Sequence, residues 1–151
     1  MNINELRINN LISHNGLICT VEIINGELNE IYFLGEDFYH WDKPENLEGV
    51  PLTEEVLLKF GFENWGYGSL YSNEHEKNTR YVLHNILDGT SNFEIHFIES
   101  NYGNILHNEY VISCDEDDRI NWGAELKHAH QLQNVFFDFI NEELAYGDAI
   151  Q

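Results

Sequence analysis

Glu125-Leu126-Lys127-His128-Ala129-His130-Gln131-Leu132-Gln133-Asn134-Val135-Phe136-Phe137-Asp138-Phe139-Ile140-Asn141-Glu142-Glu143-Leu144-Ala145 is the stretch that decides the fold. Ala129, Leu132, Phe136, Phe139 and Ile140 recur at spacings of three and four, so a helix over 125–145 gathers them on one face. Lys127, His130, Gln133, Asn134, Asp138 and Asn141 fall largely on the other. Burying the apolar five is worth roughly 8–13 kcal/mol gross, at about 1.5–3 each and less for alanine. That is comparable with the whole net stability of a small domain, about 5–15 kcal/mol. A helix of this kind needs a sheet to cover its stripe.

The sheet is read outward from it. Residues 80–114 look like three strands. Arg80 to His84 is followed by an Asp88-Gly89 turn. Asn92 to Ile98 then alternates, with Phe93, Ile95 and Phe97 on one face and Glu94, His96 and Ile98 on the other. Leu106 to Cys114 follows the turn Asn101–Asn104. The acid run Asp115-Glu116-Asp117-Asp118 ends the sheet and leads through Trp122-Gly123 into the helix. Residues 63–80 are polar and turn-rich and read as an irregular aromatic loop. Their G-x-G (Gly66, Gly68) lacks the strand-then-helix setting of a phosphate-binding turn.

A short helix over 53–61 has readable ends. Thr53 suits the N-cap, Glu54 and Glu55 the positive end of the dipole, Lys59 the negative end, and Gly61 the left-handed position after it. Residues 35–52 read as a loop in which Glu36, Asp37 and Asp42 interleave with Phe38, Tyr39 and Trp41. Turned inward, these aromatics cap the sheet; turned outward, they make a sticky patch. Residues 5–34 form a β-meander: Asn15-Gly16 and Asn25-Gly26 turns join β-branched runs. The turn spacing is that of half an SH3-like barrel. The fold class is therefore α+β, a single domain over 1–151: small antiparallel sheet, SH3-like N-terminal meander, one short central helix and a long C-terminal helix.

Composition narrows function more than any motif does. Seven Lys and Arg face 27 Asp and Glu, a formal charge of −20. Such a field repels nucleic acid and anionic membranes and steers the chain toward basic surfaces. The scattered cations leave no basic patch for DNA or RNA. No apolar run is long enough to span a bilayer, and the first residues are neither basic nor apolar, so the expected compartment is the cytoplasm. In that reducing setting Cys19 and Cys114 are expected as buried thiols.

Eight histidines invite a test for metal. On a helix, His128 and His130 would lie about 200° apart and could not bind one ion. His84, His96 and His107 stand on candidate neighbouring strands and could converge; hydrogen-bonded structural histidines are the plainer reading. The run 115–118 lacks the alternating pattern of a calcium loop, and a solvated turn explains it. No nucleophile elbow or P-loop is present. The expectation is no catalytic residue, no metal and no cofactor.

Three stretches carry a resemblance: Leu6-Arg7-Ile8-Asn9-Asn10, Pro51-Leu52-Thr53-Glu54-Glu55-Val56-Leu57-Leu58-Lys59-Phe60-Gly61-Phe62, and His130-Gln131-Leu132-Gln133-Asn134. Their order and wording resemble an uncharacterised family of small proteins met in phage, prophage and mobile-element regions of bacteria. In that family the opening reads L-R-I-G-N, so this chain departs from it at Asn9. The resemblance carries no activity and transfers no catalytic residue. What it implies is a mobile-element setting, the host's cytoplasm, and host defence as a natural target. The leading expectation is thus an acidic, non-catalytic inhibitor of a nucleic-acid-handling defence protein, of anti-CRISPR or anti-restriction type. Its partner would be a protein with a basic surface, such as an RNA-guided nuclease or its guide complex. Contacts would come from Asp115, Glu116, Asp117, Asp118, Glu36 and Asp37, with Trp41 and Trp65 as anchors. Two alternatives stay open: an accessory protein-binding module without mimicry, and a small metal-dependent enzyme using the histidines.

Overall fold

The computed structural model describes residues 1–35, 39–67, 76–86, 91–100, 105–113, 119–122 and 125–147. The architecture is α+β, with two five-stranded antiparallel sheets. Its contacts divide into two compact units, one of Met1–Leu52 with Lys127–Leu144 and one of Thr53–Leu126 with Ala145–Gln151.

The first unit holds β1 (Leu11–His14), β2 (Leu17–Asn25), β3 (Glu30–Leu34), β4 (Tyr39–Asp42) and β5 (Glu48–Gly49), in the order β4-β3-β2-β1-β5. The meander follows from its turns. His14 pairs with Leu17, leaving Asn15 and Gly16 between them at φ 53° and 82°, the positive-φ pair a tight hairpin requires. The second turn is longer than its Asn-Gly suggests. Asn25 pairs with Glu30, and the positive φ, 54°, falls at Asn29 rather than Gly26. Residues 35–52 are not all loop: β4 extends the meander, and β5 returns to pair with β1. Leu6 to Asn10 is no strand. A 3₁₀ turn at Ile3–Glu5 precedes it, and the Asn10 side chain accepts from the Arg7 N–H at 2.8 Å. Asn9 sits at φ 70°, a left-handed conformation open to glycine and, among other residues, to asparagine.

The long helix packs on this sheet, with narrower bounds than its periodicity implies. It runs Ala129–Ile140 (α2). Residues before it are extended because their backbone is used elsewhere: the Leu52 N–H donates to the Lys127 carbonyl at 3.0 Å and the Ala129 N–H to the Val50 carbonyl at 2.8 Å. Gln131 Oε1 takes the Lys127 and His128 N–H groups at 2.8 and 3.1 Å, closing the N-terminus. Asn141, at φ 58°, ends the helix. Ala129, Leu132, Phe136 and Ile140 are buried as expected, whereas Phe139 is half-exposed. His130 and Gln133, expected on the polar face, are buried. For Gln133 the cause is visible: its Oε1 accepts the Leu11 N–H at 2.8 Å and its Nε2 donates to the Asn9 carbonyl at 2.9 Å. Asn134 Nδ2 donates to the Glu5 carbonyl at 2.7 Å. The Arg7 guanidinium lies 3.5 Å over the Phe137 ring and 3.3 Å from Glu143. Residues 5–11 and 133–143 are thus two sides of one clamp.

The second unit holds α1 (Glu54–Lys59) and β6 (Glu63–Tyr67), β7 (Glu76–Ile86), β8 (Ser91–Ser100), β9 (Ile105–Ser113) and β10 (Arg119–Trp122), in the order β10-β9-β8-β7-β6. The caps of α1 are as read: Thr53 Oγ1 accepts from Val56, and Gly61 has φ 86°. Two segments are corrected. The stretch 63–67, expected as loop, pairs with β7. Arg119–Trp122, expected as a lead into the helix, is a strand on β9. In both, a neighbouring strand supplies the ladder hydrogen bonds, and in the first these override a turn-rich composition. Both faces of the central strand β8 are buried from Phe93 to Ile98. Glu94 is tolerated there because His96 and Arg80 lie 2.9 and 3.7 Å from its carboxylate.

Candidate functional site

Two places in the first unit hold side chains that the fold does not use up. One is the outer face of the meander. Ile31 and Phe33 point into the core, so Glu30, Tyr32 and Leu34 face out. Register then places Ile23, Tyr32 and Trp41 in one cross-strand row, and Thr20, Leu34 and Tyr39 in the next. Cross-strand neighbours of this kind touch. Tyr39, Trp41 and Ile23 are 71%, 57% and 56% exposed, and Leu34 and Ile18 are also exposed. The result is an apolar and aromatic surface spanning three strands. A carboxylate borders it: Tyr32 donates to Glu30 at 3.3 Å, and that negative charge holds the phenol above its usual pKa. β4 is the edge strand of the sheet. The inward-facing His14 and Asp42 approach to 3.3 Å. Hydrogen bonds from the Asn46 side chain and then the Lys43 N–H keep the Asp42 carboxyl below its ordinary range.

The other is a pocket of about 430 Å³ lined by Met1, Glu5, Leu47, Glu48, Gly49, His128 and His130. Because His128 is extended rather than helical, it does not diverge from His130 as a helix would require. The two rings stack with centroids 5.5 Å apart and planes 9° apart. Gly49 makes the approach possible: a Cβ there would stand 2.5 Å from the His128 ring. His130 is 2% exposed, and neither ring nitrogen has a hydrogen-bond partner. Burial first, and the neighbouring His128 second, lower its pKa from 6.5 to about 4, so it is neutral at pH 7. No three His, Cys, Asp or Glu side chains among the described residues are placed to hold a metal ion.

The residues singled out in the sequence fare unevenly. Trp41 lies on the exposed apolar face. Trp65 belongs to the second unit and is engaged there, with Arg80 4.8 Å over its ring and His84 4.9 Å away. Glu36, Asp37, Asp115, Glu116, Asp117, Asp118 and Cys114 lie outside the described residues. Of the strand histidines, His84 meets Asn92 at 3.1 Å and Glu63 at 3.6 Å, and His96 meets Glu94. Cys19 is a buried free thiol, its pKa raised by that burial. What sequence reasoning missed was Ile23, Tyr32 and Leu34 as partners of Trp41, and the pairing of His128 with His130. The first needed strand register. The second had a signal in His-x-His at a helix start, where the first residue is free to leave the helix. No helix of the described residues is long and apolar enough to cross a membrane. Compared with family models, curated proteins and solved structures, the chain has no match.

Proposed function

We propose that this chain works by binding a protein with a basic surface, as a non-catalytic acidic inhibitor of a nucleic-acid-handling bacterial defence protein. The observation that carries the binding part is the outer face of the meander. A row of Ile23, Tyr32 and Trp41 beside Leu34 and Tyr39 is the aromatic-rich composition of an interface centre. The −20 charge supplies the second element. It speeds encounter with a Lys/Arg-lined partner and disfavours anionic competitors. The assignment to defence, of anti-CRISPR or anti-restriction type in a bacterial cytoplasm, rests on the resemblance of the opening, middle and closing segments to mobile-element proteins.

The same apolar face supports one other reading, an accessory protein-binding module with no mimicry of nucleic acid. Salt separates the two. The purified chain is immobilised and host extract is passed over it at about 50 mM and about 500 mM salt, where the Debye length falls from roughly 14 to 4 Å. Under the inhibitor reading a nuclease is retained at low salt, is released or strongly weakened at high salt, and has its cleavage of substrate blocked by the chain. A partner retained equally at both salts, with no nucleic-acid function, selects the module reading. Trp41→Ala should weaken either capture at least tenfold. Undiminished binding by that variant removes the outer face from the interface.

A further inference from the structure

The two edges of the first sheet are finished differently. At β5 the edge is closed: Pro51 bridges to His128, the Leu52 N–H donates to the Lys127 carbonyl and the Ala129 N–H to the Val50 carbonyl. Among the described residues, no element pairs with the far side of β4. An edge strand turns alternate N–H and C=O groups away from its one neighbour, and proteins blunt such edges with lysine, proline or a bulge. Tyr39-His40-Trp41-Asp42 contains neither residue. Its register on β3, from Ile31 opposite Asp42 to Leu34 opposite Tyr39, is unbroken. Tyr39 and Trp41, two apart, both stand on the exposed face. The open edge is thus regular, short and aromatic.

Charge selects what can cover it. Strands β1 to β4 contain no Lys or Arg. From residue 30 to residue 48 the chain carries Glu30, Glu36, Asp37, Asp42, Glu45 and Glu48 against Lys43 alone. A second copy of the chain is disfavoured, since it brings the same acids and a net charge of −20. A purely apolar segment would leave that potential unanswered. We infer that β4 accepts an extended segment of the partner protein as an added strand, with arginines at alternate positions laid beside Tyr39 and Trp41. Side chains two apart on such a strand share one face, so they reach the same outer surface as these two rings. A guanidinium there stacks on an aromatic ring and keeps N–H groups for nearby carboxylates such as Glu30. Lysine serves less well, because its ammonium is compact, strongly hydrated and has no face to stack. Backbone pairing supplies affinity and the alternating side chains supply specificity. This mode rests on the outer face being the interface, as proposed above, and gives the partner's contribution a sequence pattern.

The probe is a short capped peptide in which arginine and valine alternate, titrated into the purified chain at low salt. Amide exchange of β4 and the Trp41 indole signal are followed by NMR. Saturable binding that slows exchange of β4 amides at least tenfold supports the added strand. The same peptide with glutamine in place of arginine, or with N-methyl groups on its backbone amides, should bind at least tenfold more weakly, and its lysine counterpart several-fold more weakly. Lys43→Glu, at an exposed position, should tighten binding several-fold. Full binding by the N-methylated peptide, or no protection of β4 at millimolar peptide, would overturn strand addition. Equal binding of the glutamine peptide would overturn the choice of arginine. Protection of the same amides that rises with protein concentration alone would assign the edge to a second copy and overturn the partner segment. These failures are distinct from failure of the interface itself. If only the strand mode is wrong, Trp41→Ala still abolishes capture of the host partner; if the face is not the interface, that capture is untouched.

Discussion

Replacing Gln133 by leucine isolates the clamp between α2 and the start of the sheet. The side chain is 2% exposed, and leucine nearly preserves its volume, so cavity formation contributes little. Two hydrogen bonds are lost, to the Leu11 N–H at 2.8 Å and the Asn9 carbonyl at 2.9 Å. Their consequences differ. Leu11 is buried, so its N–H is left without water and costs about 1–3 kcal/mol; Asn9 is exposed, so water can replace the amide and the loss is about 1 kcal/mol. Added transfer of the apolar side chain returns roughly 1 kcal/mol. The expected net destabilisation is about 1–3 kcal/mol, and Gln133→Ala should exceed it through the cavity it leaves. Urea unfolding followed by far-UV circular dichroism measures the change. Amide exchange of Leu11 should accelerate by at least tenfold relative to distant amides of β2. A Gln133→Leu variant within 0.5 kcal/mol of the parent, with Leu11 exchange unchanged, would refute the clamp as an energetic feature.

Other outcomes follow from the same geometry. An unfolded histidine takes its proton near 6.5, but folded His130 does so only near about 4. Between those values the unfolded chain binds more protons, so stability falls as pH drops through this window and is untouched by this group above it. The charged and titratable groups around His130 are His128, which adds to the shift, Glu5, which opposes it, the Met1 ammonium, which adds to it, and Glu48 on β5. The full effect is roughly 3 kcal/mol, nearer 2 after screening at the pocket mouth, and His130→Phe should flatten the slope of a pH series of denaturant midpoints. Asn9→Gly should be within about 0.5 kcal/mol of the parent, whereas Asn9→Val should cost about 1–2 kcal/mol, because φ is 70° there; thermal melts decide. Gly49→Ala should displace the His128 ring, seen as a large shift of its NMR signals.

How far the sequence reached depends on where each residue's environment is set. Local chemistry was legible: the Asn15-Gly16 hairpin and the Thr53 and Gly61 ends of α1 are all determined by neighbours in the chain. Long-range pairing was not. Glu63–Tyr67 and Arg119–Trp122 become strands because β7 and β9 offer them backbone partners, and nothing within either segment announces that. The helix bounds failed for the same reason. Residues 126–128 have good helical periodicity, yet Leu126 is held by both ends of the Asn108 amide and Lys127 by Leu52. Trp41 was singled out from its setting among acids, but its rank as part of a surface depended on a register that pairs it with Tyr32.

Residues 130–134 show how the demands of folding can be separated residue by residue. Gln131 caps the helix, Leu132 is in the core, Gln133 clamps β1, and Asn134 holds the Glu5 carbonyl. Each of these four would be demanded by folding alone. His130 is different. It is as enclosed as its neighbours but makes no hydrogen bond, and folding alone would favour phenylalanine or leucine at that position, since an imidazole there leaves polar atoms unsatisfied. Gly49 leaves room for the His128 ring that stacks on it, so the two histidines pack as a pair rather than as hydrogen-bonded groups. The contrast is measurable in one pair of variants. If His130→Phe raises stability at pH 7 while Gln133→Leu lowers it, the imidazole is a cost to the fold and the glutamine a support of it. If both lower it by similar amounts, the imidazole belongs to the clamp, and the pocket is only the space left beside it.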